Sequence, residues 1–298
     1  MTDAHPAQTH SQGPAKVGGH GRMTKEEIDA AKQELEDLKA QYGLVEPTRS
    51  YMDDEQYDWR FGGPPDYTLA NLSFLKGRTR NHPEGSLELI VENLVKTWEF
   101  ERSHKLDCSK HKSVVPEKFT ISANGAKAYG NVEANEVGNY NVLLDGVRPD
   151  LWAPNQTWDD THHAFKDAFA TFPWEVLKVF SGPPVVAFSW RHWAHFTGKY
   201  KDNVGAGDLI NMFGFATAQV SADLKLEKVD VYYNGEEFLE VMEGKKPPSV
   251  LEKGRSVFGD YMAISGLGDE VCQVNEMLEG ECPASGKKGQ SCPFWCGR

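Results

Sequence analysis

A change of hydrophobic period near residue 170 constrains this chain more than any other feature. From Trp174 to Tyr233 apolar side chains recur at every second position in four runs: Trp174–Phe180, Val185–Phe196, Ile210–Val220 and Val229–Tyr233. Neighbouring side chains on a strand point to opposite faces, so each run reads as a strand with at least one face buried. Gly182-Pro183-Pro184, the stretch from Gly198 to Gly207, and Asp223 interrupt them and place the turns. Upstream the period is helical. Thr24 and Glu27 form a capping box, and Ile28, Ala31, Leu35 and Leu38 follow at helical steps until Gly43. Ser86 caps a second helix, Leu87 to about Lys105, with Leu87, Ile90, Leu94 and Trp98 as its apolar stripe. A further helical stretch, Asp159 to Phe169, carries His162 and His163. Helices first and consecutive antiparallel strands afterwards predict an α+β fold.

Composition narrows the function classes. The 298 residues include 44 acidic and 32 basic side chains, a net charge of −12. A field of that sign repels phosphate backbones, so no nucleic-acid partner is expected. Nor is a membrane expected, because no apolar run approaches the roughly 20 residues that span a bilayer. The first 23 residues lack the apolar stretch of a secretory signal, which points to a cytoplasmic protein. Five segments are expected: a disordered tail over 1–23, an amphipathic helix over 24–43, an ordered wrapping segment over 44–85, a main domain over 86–244, and an irregular tail over 245–298. Cys272, Cys282, Cys292 and Cys296 crowd into that tail, and their spacing is poor for zinc. They read as free thiols.

The strand block carries a resemblance. Phe172-Pro173 ahead of Trp174, the apolar strand Val185–Trp190, His195 with Gly198, the bend at Gly205 and Gly207, and the closing pair Tyr232-Tyr233 resemble the SnoaL-like polyketide cyclase family. Residues 83–105 and 191–201, with the late Cys292-Pro293-Phe294, look closest to plant proteins of the pathogen-related type. The resemblance covers roughly residues 50–240. It implies a cone: about three helices packed on a highly curved antiparallel sheet, with a pocket between them. An extra N-terminal helix and irregular tails complete the expected architecture.

Candidate chemistry centres on the strand from Val185. If Val186, Phe188 and Trp190 face inward, so does His192, while Arg191, Trp193 and His195 face the other way. The family pattern favours His195 instead, through its His-x-Gly position, although this chain has one inserted residue. Either imidazole can move a proton near neutral pH. Glu101 is a candidate to orient the catalytic histidine, with Trp98, Tyr140, Phe188, Trp190, Phe215 and Tyr232 shaping the substrate site. No metal site is expected, since His192 and His195 lie on opposite strand faces, and no cofactor motif appears. Two departures from the resembled family stand out. The strand position of its acid-base Asp falls in Phe213-Gly214-Phe215-Ala216, and its closing Tyr-Asp is Tyr233-Asn234 here. The first expectation is therefore a cofactor-independent isomerase, cyclase or dehydratase acting on an apolar carbonyl metabolite through a histidine. Its rivals are a non-catalytic binder of hydrophobic ligands in stress or pathogen response, and a scaffold that dimerises through the outer sheet face.

Overall fold

The structure, a computed structural model, describes residues 25–52, 58–148, 164–165 and 167–251. The N-terminal tail, Thr24 of the expected capping box, His162, His163 and the late cysteines lie outside the described residues. In chain order the main elements are α1 (Lys25–Tyr42), α2 (Thr68–Gly77), α3 (Leu87–His104), β1 (Thr120–Ala123), β2 (Tyr129–Gly130), α4 (Asn131–Val137) and α5 (Asn139–Asp145). There follow β3 (Trp174–Ser181), β4 (Val185–Phe196), β5 (Lys199–Tyr200), β6 (Asn203–Val204), β7 (Asp208–Val220), β8 (Leu226–Tyr233) and α6 (Gly235–Met242). The α+β class and the curved sheet are as the sequence implies.

Six strands form the main sheet in the order β2-β1-β8-β7-β4-β3. The central pairing of β4 with β7 runs unbroken from Val185↔Gln219 to Phe196↔Asp208. Two register shifts in the β3–β4 pairing mark irregularities, a device that bends a sheet and strengthens its twist. The sheet is mixed rather than wholly antiparallel, because β1 pairs with β8 in parallel from Thr120↔Lys228 to Ala123↔Val231. A four-residue strand is too short for a period to reveal it.

Three apolar clusters hold the layers together. The largest joins Val186, Phe188 and Trp190 of β4 and Ala216 and Ala218 of β7 to Val91 of α3 and Phe119. A second closes one end through Phe169, Phe196, Ile210, Phe238 and Met242. The third lies outside the sheet, where Ala31 and Leu35 of α1 and Leu72, Phe74 and Leu75 of α2 pack on Trp193. The wrapping segment thus contains a helix, α2, that the surrounding turn formers concealed. Gly77 ends it against the indole, and a Cβ there would sit 2.4 Å from Trp193 Nε1.

Helix α3 departs from the expected single stripe. Ser86 does cap it, accepting from Leu89 N at 3.3 Å. Yet Ile90 is 41% exposed, while Glu92, Lys96, Thr97, Glu101 and Arg102 are buried. The cause is the segment crossing its polar side. Thr48 N donates to Asn93 Oδ1 at 3.0 Å, Ser50 N donates to Thr97 Oγ1 at 3.1 Å, and Arg60 N donates to the His104 carbonyl at 2.8 Å.

Candidate functional site

Between the inner face of the sheet and α3 lies a cavity of about 320 Å³, near the lower end of the range for small-molecule sites. Its sheet wall is apolar, with Phe188 and Trp190 of β4, Ala216 and Ala218 of β7, and Val229 and Val231 of β8. Room for Trp190 comes from Gly214, its register partner. A Cβ on Gly214 would come within 2.2 Å of the indole, so the indole lies directly on bare backbone.

Strand alternation settles the two histidines. His192 is in register with Trp174 on one side and Met212 on the other, and its ring enters the cavity. There it stacks on Phe172, with ring centroids 3.8 Å apart. Burial pushes its pKa from the usual 6.5 down to about 3, against the pull of the Pro173 backbone, and the nearby Lys96 charge adds to the fall. His192 is therefore a neutral imidazole at ordinary pH. His195 faces the other way, is exposed, and meets the Gly207 carbonyl at 3.1 Å. It does not line the cavity.

The other expected residues divide the same way. Trp98, Tyr140, Phe188 and Trp190 line the cavity. Phe215 and Tyr232 do not: they are in register on the outer face, 37% and 46% exposed. Of the closing pair, Tyr233 is the one that enters, and its hydroxyl donates to the Leu143 carbonyl at 2.9 Å. Glu101 reaches neither histidine. It is wholly buried, paired with Lys105 at 2.9 Å, and accepts from Ser113 N at 2.9 Å, Ser113 Oγ at 2.6 Å and Lys112 N at 3.0 Å. Arg191 also serves the scaffold, binding Glu175 at 2.9 Å and Asn211 at 2.8 Å away from the cavity. Asn234, in place of the resembled family's Asp, caps α6 by accepting from Glu237 N at 3.5 Å.

Sequence reasoning missed the polar seam that α3 turns toward the cavity: Lys96, Glu99 and Ser103. The signal was present, since the spacing of four and then three, followed by four, keeps Glu92, Lys96, Glu99 and Ser103 on one face. Lys96 Nζ donates to the Trp174 carbonyl at 2.5 Å and lies 4.0 Å from the centre of the Phe74 ring. Burial lowers its pKa from 10.5 to about 8. Glu99 accepts from Ser103 Oγ at 2.8 Å and from the Tyr67 hydroxyl at 3.3 Å. Arg49 covers the Tyr67 ring at 3.7 Å. Burial, with the Glu99 charge, holds Tyr67 well above its usual pKa. Two further atoms are notable. Trp98 Nε1 and His192 Nδ1 are buried, belong to cavity-lining side chains, and make no hydrogen bond among the described residues. No group of three His, Cys, Asp or Glu side chains among the described residues is placed to hold a metal ion. No helix among them is long and apolar enough to cross a membrane.

Fold and site define a class: an α+β protein whose curved sheet and helices enclose an apolar cavity of small-molecule size with a few placed polar groups. Within it, the chain belongs to the family of the pathogen-related protein of Hordeum vulgare, to which it is 36% identical over 188 residues, 61% of this chain and 80% of that protein. No known family profile matches the chain. Among solved structures it resembles a putative SnoaL-like polyketide cyclase from Jannaschia sp. CCS1, at 11% identity, 56% of this chain, 99% of that one and a TM-score of 0.30. It also resembles a putative polyketide cyclase from Acidithiobacillus ferrooxidans, at 9% identity, 55% and 100% coverage and a TM-score of 0.35.

Proposed function

We propose that this protein takes an apolar carbonyl compound into the cavity and moves a proton next to the carbonyl group, as an isomerase, cyclase or dehydratase without a cofactor. The observation that carries the reading is the pair of unpartnered buried atoms, Trp98 Nε1 and His192 Nδ1, in a chamber whose sheet wall is apolar. Buried polar atoms are almost always hydrogen-bonded, so such a pair suits an oxygen-bearing ligand. Trp98 can only donate, and a neutral His192 can donate or accept. The histidine expected to act as base is too weakly basic for that task at a pKa of about 3. With its ring N–H drawn to the Pro173 backbone, its role becomes accepting a hydrogen bond at Nδ1 from an enol or hydroxyl of the ligand. Lys96, with a pKa of about 8, is the cavity group matched to proton transfer near neutrality.

The non-catalytic binder is the second reading, favoured by the lack of a carboxylate on β7 facing the cavity. One experiment separates the two. Apolar aldehydes and ketones are added to the protein, tryptophan fluorescence reports binding, and NMR in heavy water reports deuterium entry beside the carbonyl. Quenching with accelerated exchange, lost in Lys96→Met and His192→Phe, is expected. Quenching without exchange gives the binder, and no quenching sinks both. We also propose a homodimer formed through the outer sheet face.

A further inference from the structure

The chamber holds a lysine whose surroundings suit a nucleophile better than a structural cation. The carboxylates whose charge Lys96 feels are Glu92 and Glu99 on its own helix and Glu175 on β3; the cations are Arg49 from the wrapping segment and, if protonated, His192 on β4. Each of those carboxylates is held elsewhere. Glu92 accepts from Val176 N at 3.0 Å, Glu175 binds Arg191 and accepts from Thr79 N at 2.8 Å, and Glu99 holds Ser103 and Tyr67. Lys96 Nζ is left with one backbone carbonyl and the faces of Phe74 and Trp174, the latter 5.4 Å from ring centre. Taking an ammonium out of water with so little compensation is costly, and shedding the proton relieves that cost. The unprotonated fraction, about a tenth of the chains at pH 7, is a primary amine against a ligand-sized space with an apolar sheet wall.

We propose that Lys96 forms an imine with an apolar aldehyde or ketone bound in the cavity. This rests on the carbonyl reading above and assigns that site a covalent step. The Nζ lone pair attacks the carbonyl carbon, forming a C–N bond, while the oxygen takes up the proton released from nitrogen. The carbinolamine then expels that oxygen as water, using the second N–H proton, and a C=N bond remains. Amine and carbonyl give imine and water, with no oxidant or reductant required. Trp98 Nε1–H and the neutral His192 ring are the groups available to hold the departing oxygen, and an apolar chamber favours loss of water.

The test uses the full chain with 3-phenylpropanal, with 3-phenylpropan-1-ol as the non-carbonyl control. Tryptophan quenching measures occupancy, and sodium cyanoborohydride traps any imine. The expected product is one adduct per chain, heavier by the aldehyde's mass less one oxygen, mapped to Lys96 by peptide mass spectrometry. Lys96 should label on the order of tenfold or more faster than an average surface lysine at neutral pH, because more of it is unprotonated. Lys96→Met and Lys96→Arg, each shown to be folded by circular dichroism, should lose that adduct. If the aldehyde quenches tryptophan but labels only surface lysines, the imine is overturned and the cavity reading survives. If neither probe quenches, both fall.

Discussion

His192 sits where its charged form is penalised, and that has a consequence for stability. Its pKa falls from 6.5 to about 3 on folding, and burial likewise takes His111 down to about 4, against the attraction of Glu101. The unfolded chain therefore binds both protons first as pH drops. Stability contributed by the neutral rings is complete above pH 6.5, and is lost progressively as pH falls from 6.5 toward 3 to 4. Urea midpoints should decline over that window, and His192→Gln should flatten part of the decline; an identical decline in the variant would refute the assignment. At this scale the sequence was half legible. Alternation alone put Phe188, Trp190 and His192 on one face together, but did not show which face meets the cavity. The phase of β7 was not readable, because Met212, Ala216 and Ala218 on one face and Phe213 and Phe215 on the other are all apolar enough for a core. Only the register Trp190↔Gly214 fixes which set faces the cavity. Lys96 escaped notice because a charged helix position reads as solvated surface until another segment covers it.

Among the elements, α3 does most to build the site, and Glu101 shows how. Its carboxylate is a buried clamp that ties the end of α3 to residues 112–113 and neutralises Lys105. Neutralising Glu101 takes from the buried Lys105 ammonium the carboxylate it is paired with. Glu101→Gln should thus cost about 3–5 kcal/mol of unfolding free energy. Glu101→Gln combined with Lys105→Met should recover much of it, since a buried ion pair replaced by neutral or apolar groups is often no less stable. Chemical denaturation checks this; a single-variant loss under about 1 kcal/mol would place the pair among surface-like bridges instead. The sequence marked α3, α1 and the four long strands within a few residues because their periods are sustained. It hid α2, whose ten residues mix Leu69, Leu72, Phe74 and Leu75 with Thr68, Asn71, Ser73 and Lys76 without a clear apolar stripe, and β1, whose identity depends on a parallel partner more than 100 residues away. Local periodicity cannot report a pairing of that kind.

Across the whole molecule the outer sheet face is unevenly covered. Near Trp193 the α1–α2 pair seals it, but toward the β3–β4 turn Phe180, Val185, Phe215 and Tyr232 remain 37–51% exposed. Three of these side chains are connected: Phe215 and Tyr232 are register partners, and Phe180 lies 5.6 Å from Phe215 between ring centres. A patch drawn from neighbouring strands of one face suits a two-fold contact, since the same surface on a second copy is complementary to it by symmetry. It also explains why aromatics assigned to the cavity from sequence point away from it: the strand has two buried-type faces, one turned to a ligand and one to the proposed partner copy. Sedimentation equilibrium at micromolar concentration should give twice the chain mass of 33.3 kDa. Phe215→Glu with Tyr232→Lys should return the single mass while tryptophan quenching by cavity ligands persists, because neither side chain reaches the chamber. A native protein already at the single mass would show that the bare patch is not a self-contact, and would leave the cavity chemistry to act in a monomer.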